Sequence, residues 1–241
     1  MRKQFLLGLG LAAFTMTISS NVVAEEEKGP WSGAVGVGYF ASSGNTESQN
    51  VNADLAASYN TGGRWTHNFK ALALNSSNNN VRSAERYLAG YQADFAINAR
   101  SYFFGRIEAD KDKFSAYDLR QVEALGYGYK IIDTDTRKWN VELGIGATQL
   151  DLITGGSENS GVGLLGTDFL YKLSETAEFE QNLDYEIASN NNLLNSVTSL
   201  RAKVWENFGV KISYNIKNNS DVPVGVEKTD KYTSIGIDYS F

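Results

Sequence analysis

The chain contains a single histidine, His67, and no cysteine. One imidazole could serve as the general base of a hydrolase, whereas thiol catalysis and cysteine-ligated metals have no residues to support them. His67 follows a short polar segment, 60–63, and shares its strand parity with Trp65 and Phe69. The pattern favours a histidine within an aromatic surface row. A hydrolase that uses His67 is the alternative.

Two pairs of carboxylates occur in predicted connections, at Asp110-Lys111-Asp112 and at Asp133-Thr134-Asp135. Neither segment has the spaced acids and the glycine of a calcium-binding loop. We therefore expect solvated turns at both places. The sequence predicts no catalytic residue, no metal site and no cofactor.

Asparagine runs at 78–80 and 190–192 predict exposed loop tips, and Ser43-Gly44-Asn45-Thr46 is typical of a tight turn. Polar loops of this kind could contact lipopolysaccharide or a sugar. A surface-binding protein is therefore a second alternative.

The N-terminus has the pattern of a secretory signal peptide. Arg2 and Lys3 precede an apolar run, 5–14, and a small residue, Ala24, precedes an acidic segment. We expect a signal peptide at 1–24, a short periplasmic segment at 25–30 and a barrel domain at 31–241. Loss of Arg2 and Lys3 leaves 20 basic residues against 28 acidic ones. This negative charge disfavours a nucleic-acid partner.

The last strand alternates apolar and polar residues and ends in Phe241, preceded at alternate positions by Tyr239 and Ile237. An amphipathic terminal strand that ends in phenylalanine resembles the insertion signal of outer-membrane barrels. The whole mature chain divides into about twelve such segments, which have the length of tilted membrane strands. The predicted strands are 31–41, 49–59, 64–74, 84–97, 101–109, 118–132, 138–150, 160–173, 177–188, 196–205, 208–216 and 229–241.

The predicted connections alternate between short and long. Short links such as 60–63 and 98–100 alternate with longer, Asn-, Ser- and Gly-rich ones such as 75–83 and 217–228. Short periplasmic turns opposite longer external loops are typical of a transmembrane antiparallel β-barrel. An even number of strands places both termini in the periplasm.

Aromatic residues collect beside the short connections. A periplasmic aromatic girdle is predicted from Trp31, Trp65, Trp139, Trp205 and Phe241, with Tyr102 among the aromatic residues at the same level. A sparser external girdle is predicted from Tyr39, Phe40, Tyr87 and Phe114.

Strand alternation assigns several charges to the lumen. The ninth predicted strand offers Glu178, Glu180, Asp184 and Glu186, and the next two offer Arg201, Lys203, Lys211 and Lys217 within cross-strand reach. Two functions are compatible with this charge network. It could orient an ion or polar solute in a narrow pore, or it could be a salt-bridge network that fills a small lumen.

Six segments resemble one family in their order along the chain. They are Trp31-Ser32-Gly33, Ser43-Gly44-Asn45-Thr46, Asp94-Phe95, Phe104-Gly105-Arg106, Asp112-Lys113-Phe114-Ser115-Ala116-Tyr117-Asp118-Leu119-Arg120 and Gly126-Tyr127-Gly128-Tyr129. The family is that of the YdiY-like salt-induced outer-membrane proteins. The resemblance implies an outer-membrane location and a link to salt response, but no substrate and no catalytic residues.

The sequence thus predicts an all-β, non-enzymatic outer-membrane barrel that acts as a narrow passive channel or as a structural envelope component in osmotic or salt stress. Export would use the general secretion pathway. The expected partners are outer-membrane lipid, lipopolysaccharide and, through the C-terminal strand, the barrel-assembly machinery. We expect a monomer.

Overall fold

A computed structural model of the protein describes residues 29–42, 48–79, 81–113, 115, 117–189, 191–222 and 227–241. The predicted signal peptide, the Ser43-Gly44-Asn45-Thr46 turn and Phe114 lie outside these residues. Twelve strands form one closed barrel in which each strand is antiparallel to its neighbours in chain order. The strands are β1 (Trp31–Ser42), β2 (Ser48–Asn60), β3 (Trp65–Asn78), β4 (Val81–Ala96), β5 (Ser101–Asp112), β6 (Tyr117–Asp133), β7 (Arg137–Leu152), β8 (Ser157–Lys172), β9 (Ala177–Ala188), β10 (Leu193–Trp205), β11 (Phe208–Asn219) and β12 (Thr229–Ser240).

The barrel follows from the alternation of apolar and polar residues along the strands. On β11, Val210, Ile212 and Tyr214 are 36%, 46% and 43% exposed on the outer face. Ser213 and Lys217, at the alternate positions, are buried in the interior. Successive side chains of a strand point to opposite faces, so this alternation gives an apolar exterior and a polar interior. The described residues contain no helix that is long and apolar enough to cross a membrane.

The two ends of the barrel differ less than the sequence predicts. We call the end where β1 begins and β12 ends the terminal end, and the opposite one the far end. Several strands extend three or four residues further toward the far end than predicted. The predicted long loop 75–83 is instead mostly strand, because β3 continues to Asn78 and β4 begins at Val81. Backbone pairing continues where the apolar alternation stops, and Asn79 turns the chain with a positive φ of 49°.

The barrel closes between its first and last strands. Ala34 faces Ser240, and the register continues to Gly38, which faces Gly236. Gly33 and Phe241 exchange two backbone hydrogen bonds of 2.9 Å. The C-terminal strand therefore completes the wall.

This register can be tested with a disulfide. In the double variant Ala34→Cys/Ser240→Cys, we expect oxidation to join the two ends of the sheet, because residues that face each other across two strands are close enough for a disulfide. The disulfide should raise the free energy of unfolding in urea by on the order of 2–4 kcal/mol. Non-reducing gels and urea titrations measure both effects. The mismatched pair Ala34→Cys/Ser234→Cys, with the second cysteine six residues further along β12, should oxidise poorly, and equal oxidation of both pairs would contradict the register.

Candidate functional site

Two cavities lie in the interior of the barrel, among the residues that the structure describes. The larger one, about 700 Å³, is lined by residues of most strands, and the smaller one, about 380 Å³, is lined by β2, β3, β4, β5, β11 and β12. Arg86, Lys217 and Tyr232 line both. The two cavities therefore meet at these three side chains.

An ion-pair layer lies at this junction and consists of Arg86, Asp110, Asp112, Tyr117 and Lys217. Two guanidinium nitrogens of Arg86 donate to Asp110 at 2.8 and 3.0 Å. The ammonium of Lys217 lies 2.7 Å from Asp112 and 3.4 Å from Asp110. The Tyr117 hydroxyl donates to Asp110 at 3.2 Å, and its ring lies 5.0 Å from the Lys217 nitrogen. Asp110 and Tyr117 are completely buried.

This layer crosses the lumen from wall to wall. Lys217 is on β11, whereas Asp110 and Asp112 are on β5, and these strands lie on opposite sides of a twelve-strand ring. The structure corrects the prediction that Asp110-Lys111-Asp112 is a solvated turn. The segment is the end of β5, and its two carboxylates point inward. Each of these two buried carboxylates has a basic partner, as a buried charge requires.

A second network occupies the larger cavity around Arg106. Its guanidinium contacts Glu142 at 2.7 Å and Asp184 at 3.0 Å, and it donates to Gln92 at 2.8 Å. The Tyr102 hydroxyl donates to Glu142 at 2.9 Å. Strands β4, β5, β7 and β9 are thereby joined through the lumen.

Further ion pairs join strands of the wall on both sides of this network. Lys70 contacts Glu108 at 2.6 Å, and Arg120 contacts Glu108 at 3.3 Å and also pairs with Glu186. Towards the terminal end, Lys211 contacts Asp54 at 2.6 Å. Arg201 pairs with Asp238 in the same region.

The residues of the predicted charge network have different partners from those expected. Asp184 and Glu186 bind arginines of β5 and β6, while Lys211 and Lys217 bind carboxylates of β2 and β5. Arg201 binds β12. No salt bridge within the described part of the chain involves the remaining three residues, which are Glu178, Glu180 and Lys203. The lumen is narrow enough for long side chains to reach across it, so proximity on adjacent strands does not decide the pairing.

Sequence reasoning missed the arginines at the centre of these networks. Arg86, Arg106 and Arg120 lie on β4, β5 and β6, and β5 has polar residues on both parities. A usable signal was present in Glu108, Asp110 and Asp112, three acids spaced by two residues. That spacing places them on one face of a strand.

Glycines on β6 position two inward aromatic rings. A Cβ on Gly128 would overlap the ring of Tyr102, and one on Gly126 would overlap the ring of Phe104. The missing side chains let both rings lie flat on the neighbouring strand. Tyr102 is therefore buried in the lumen and does not belong to the predicted aromatic girdle, and its hydroxyl reaches Glu142.

The other predicted girdle residues lie on the exterior near the terminal end. Trp31, Trp65, Trp139, Trp205 and Phe241 are 49%, 46%, 37%, 65% and 45% exposed. Neighbouring rings contact them, as in the pairs Trp31–Tyr59 and Trp65–Phe95, with centroids 4.8 and 5.0 Å apart. Of the sparser set, Tyr39 and Tyr87 are exposed on the outer face.

His67 belongs to this exterior aromatic row. Its ring stacks with Trp65 and Tyr91 at centroid distances of 6.3 and 6.0 Å, and Nδ1 lies 2.8 Å from the Tyr91 hydroxyl. Its strand neighbours Tyr59 and Ala93 face the same way. The imidazole thus points away from the charged lumen.

Two asparagines of the β9–β10 connection, Asn191 and Asn192, form hydrogen bonds within the protein. Asn191 donates to Asn219 at 2.9 Å and accepts from the Asp221 amide at 3.1 Å. Asn192 accepts from the Ala188 amide at 3.1 Å. These side chains connect the β9–β10 turn with the end of β11, and the polar atoms named here are engaged within the protein.

Comparisons with known proteins agree with this architecture. The family model "Protein of unknown function, DUF481" matches residues 35–241. "Uncharacterized protein YdiY" of Escherichia coli (strain K12) is 30% identical over 214 residues, which are 88% of this chain and 84% of that protein.

Two solved structures of low sequence identity share the fold. A NanC porin has a TM-score of 0.56 at 10% identity, with 87% of this chain and 100% of that chain covered. The COG4313 outer membrane channel from Pseudomonas putida F1 has a TM-score of 0.51 at 11% identity, with 92% and 100% covered. These likenesses confirm the predicted barrel fold, and the family match confirms the predicted relationship. The chain belongs to the YdiY-like family of proteins of unknown function, DUF481.

Proposed function

We propose that the protein is a non-enzymatic outer-membrane channel for small polar solutes. The observation that carries this proposal is the presence of two polar cavities inside one closed barrel, with the ion-pair layer at their junction. The exterior supports membrane insertion, since its apolar side chains are exposed and its tryptophans collect near one end. The terminal end then lies in the periplasm and the far end outside the cell.

The lumen favours a narrow conduit rather than a wide pore. Twelve strands enclose a space between that of side-chain-filled eight-strand barrels and that of porins with 16 or more strands. Part of this space is filled by an inward apolar cluster of Val122, Ala124, Val162 and Leu164. Arg86 and Lys217 occupy the junction of the cavities, so a solute has to be small enough to pass beside them.

The position of His67 supports a passive role. A hydrolase that uses this imidazole needs a nucleophile or an activated water beside it. Its Nδ1 instead faces the Tyr91 hydroxyl, and its other described neighbours are aromatic rings on the outer face. We therefore favour transport through the lumen over hydrolysis.

Bilayer recording tests the proposed channel. The refolded protein in a planar bilayer should give unitary current steps smaller than those of a sixteen-strand porin in the same salt, because side chains fill more of the lumen. A barrel that is folded by heat-shifted gel mobility but gives no steps would contradict the proposal. A matched refolding reaction without protein controls for leaks.

A structural envelope component is the second candidate function. It is favoured by the ion pairs that join distant strands across the lumen, such as Lys217–Asp112 and Arg106–Asp184. We place either activity in osmotic or salt stress, on the support of the family resemblance. A deletion strain that grows normally after osmotic upshift and downshift would contradict that placement.

A further inference from the structure

We infer that the larger cavity passes small cations in preference to anions, through the uncompensated carboxylates of Asp94, Asp168 and Glu180. This inference rests on the proposed channel function and adds the class of solute. It starts from the balance of charge around the cavity. Eight carboxylates and five basic side chains line it: Asp54, Asp94, Glu108, Glu142, Asp168, Glu180, Asp184 and Glu186 against Lys70, Arg86, Arg106, Lys211 and Lys217.

Every basic side chain that lines this cavity is neutralised by a carboxylate. Lys70 is paired with Glu108, Lys211 with Asp54, and Arg106 with both Glu142 and Asp184. Arg86 and Lys217 are held by the carboxylates of the ion-pair layer. A mobile anion therefore meets no free positive charge in this space.

Three carboxylates of the cavity, those of Asp94, Asp168 and Glu180, form no salt bridge among the described residues. Asp94 accepts hydrogen bonds from Asn68 at 2.7 Å and from Gln92 at 2.9 Å. Glu180 accepts one from Ser199 at 3.3 Å. Amide and hydroxyl donors stabilise a carboxylate without cancelling its charge. The exposed Asp168 presents its carboxylate to the cavity.

These three groups lie in the lumen near the terminal end. Asp94 is two residues from the end of β4, Asp168 four residues from the end of β8, and Glu180 three residues from the start of β9. Asp168 and Glu180 lie two register positions apart on the paired strands β8 and β9, whereas β4 is four strands away from β8. The carboxylates therefore belong to two parts of the wall. In a narrow lumen with low-dielectric walls their field is concentrated, which attracts cations and repels anions.

Selectivity is measured by the reversal potential across a potassium chloride gradient. The native channel should show a potassium-to-chloride permeability ratio several times greater than one. The triple variant Asp94→Asn/Asp168→Asn/Glu180→Gln should retain unitary steps and shift the ratio close to one. The matched control Asp135→Asn/Glu175→Gln/Glu206→Gln removes three acids from exposed terminal-end turns and should keep the native ratio. A native ratio near one, or an unchanged ratio in the lumenal variant, would overturn the inference.

A second measurement does not depend on current. The chain has no cysteine, so Asn182→Cys places a single thiol in the larger cavity. We compare how fast a cationic and an anionic methanethiosulfonate modify this cysteine. The ratio of the cationic rate to the anionic rate should be several times higher in the native background than in the triple-variant background. Equal relative rates in both backgrounds would refute the inference. If the protein gives no unitary steps but the rate ratios still differ between the two backgrounds, the channel function is refuted and the attraction of cations is supported.

Discussion

Replacing Lys217 by methionine should raise the unitary conductance of the channel severalfold. The ammonium of Lys217 crosses from β11 to the carboxylates of β5 and lies at the junction of the two cavities. Methionine has a similar length but cannot bind Asp110 or Asp112, so its side chain is free to fold against the wall. The cavities would then merge into a wider path. Single-channel recordings of the native and variant proteins in the same salt measure the change.

The variant Lys211→Met is the matched control for charge. Lys211 is on the same strand, also points into the lumen and also binds a carboxylate, Asp54. It lines the larger cavity and is not part of the ion-pair layer. We expect its conductance to change much less than that of the Lys217 variant. Equal increases in both variants would show that charge, and not the obstruction at the junction, controls the current.

The barrel was predictable because its causes are local in sequence. Strand alternation and turn residues can be read within about a dozen positions, and both act on every hairpin of an antiparallel barrel. On β11, Lys211 and Lys217 are correctly assigned to the interior from their parity alone. The all-β closed fold and the family relationship are confirmed.

The far-end strand bounds and the ion-pair partners were not predictable from those causes. Strands such as β5 continue to Asp112 because backbone pairing needs no apolar side chains, so the loss of alternation does not mark the end of a strand. The partners of Lys217 are about a hundred residues away in the chain. Only closure of the ring brings β5 opposite β11. Asp110 and Asp112 therefore look like turn residues in the sequence, whereas in the structure they are buried and pair with Lys217.

Replacing Asp110 by alanine should lower the free energy of unfolding by a large amount for a single substitution in the lumen. The carboxylate is completely buried, accepts from Arg86 twice and from Tyr117, and lies 3.4 Å from Lys217. Its removal leaves Arg86 without its carboxylate in the interior. Breaking a buried ion pair in this way costs about 3–5 kcal/mol. Urea titration in detergent micelles, followed by tryptophan fluorescence, measures the change in the free energy of unfolding.

The control Asp133→Ala removes a carboxylate from an exposed pair with Lys130 near a terminal-end turn, where the separation is 3.2 Å. Such surface pairs contribute about 0–1 kcal/mol, so this variant should unfold close to the native protein. Similar losses in the two variants would contradict the argument that burial sets the cost.

A third variant separates uncompensated charge from lost packing. In Arg86→Met/Asp110→Leu/Asp112→Leu/Lys217→Met, all four charges of the layer are removed together. Replacing a buried ion-pair network by apolar residues of similar volume is often neutral or stabilising. The quadruple variant should therefore recover most of the stability lost in Asp110→Ala. If it is as unstable as the single variant, the contribution of Asp110 comes from packing or from Tyr117 and not from compensation of charge.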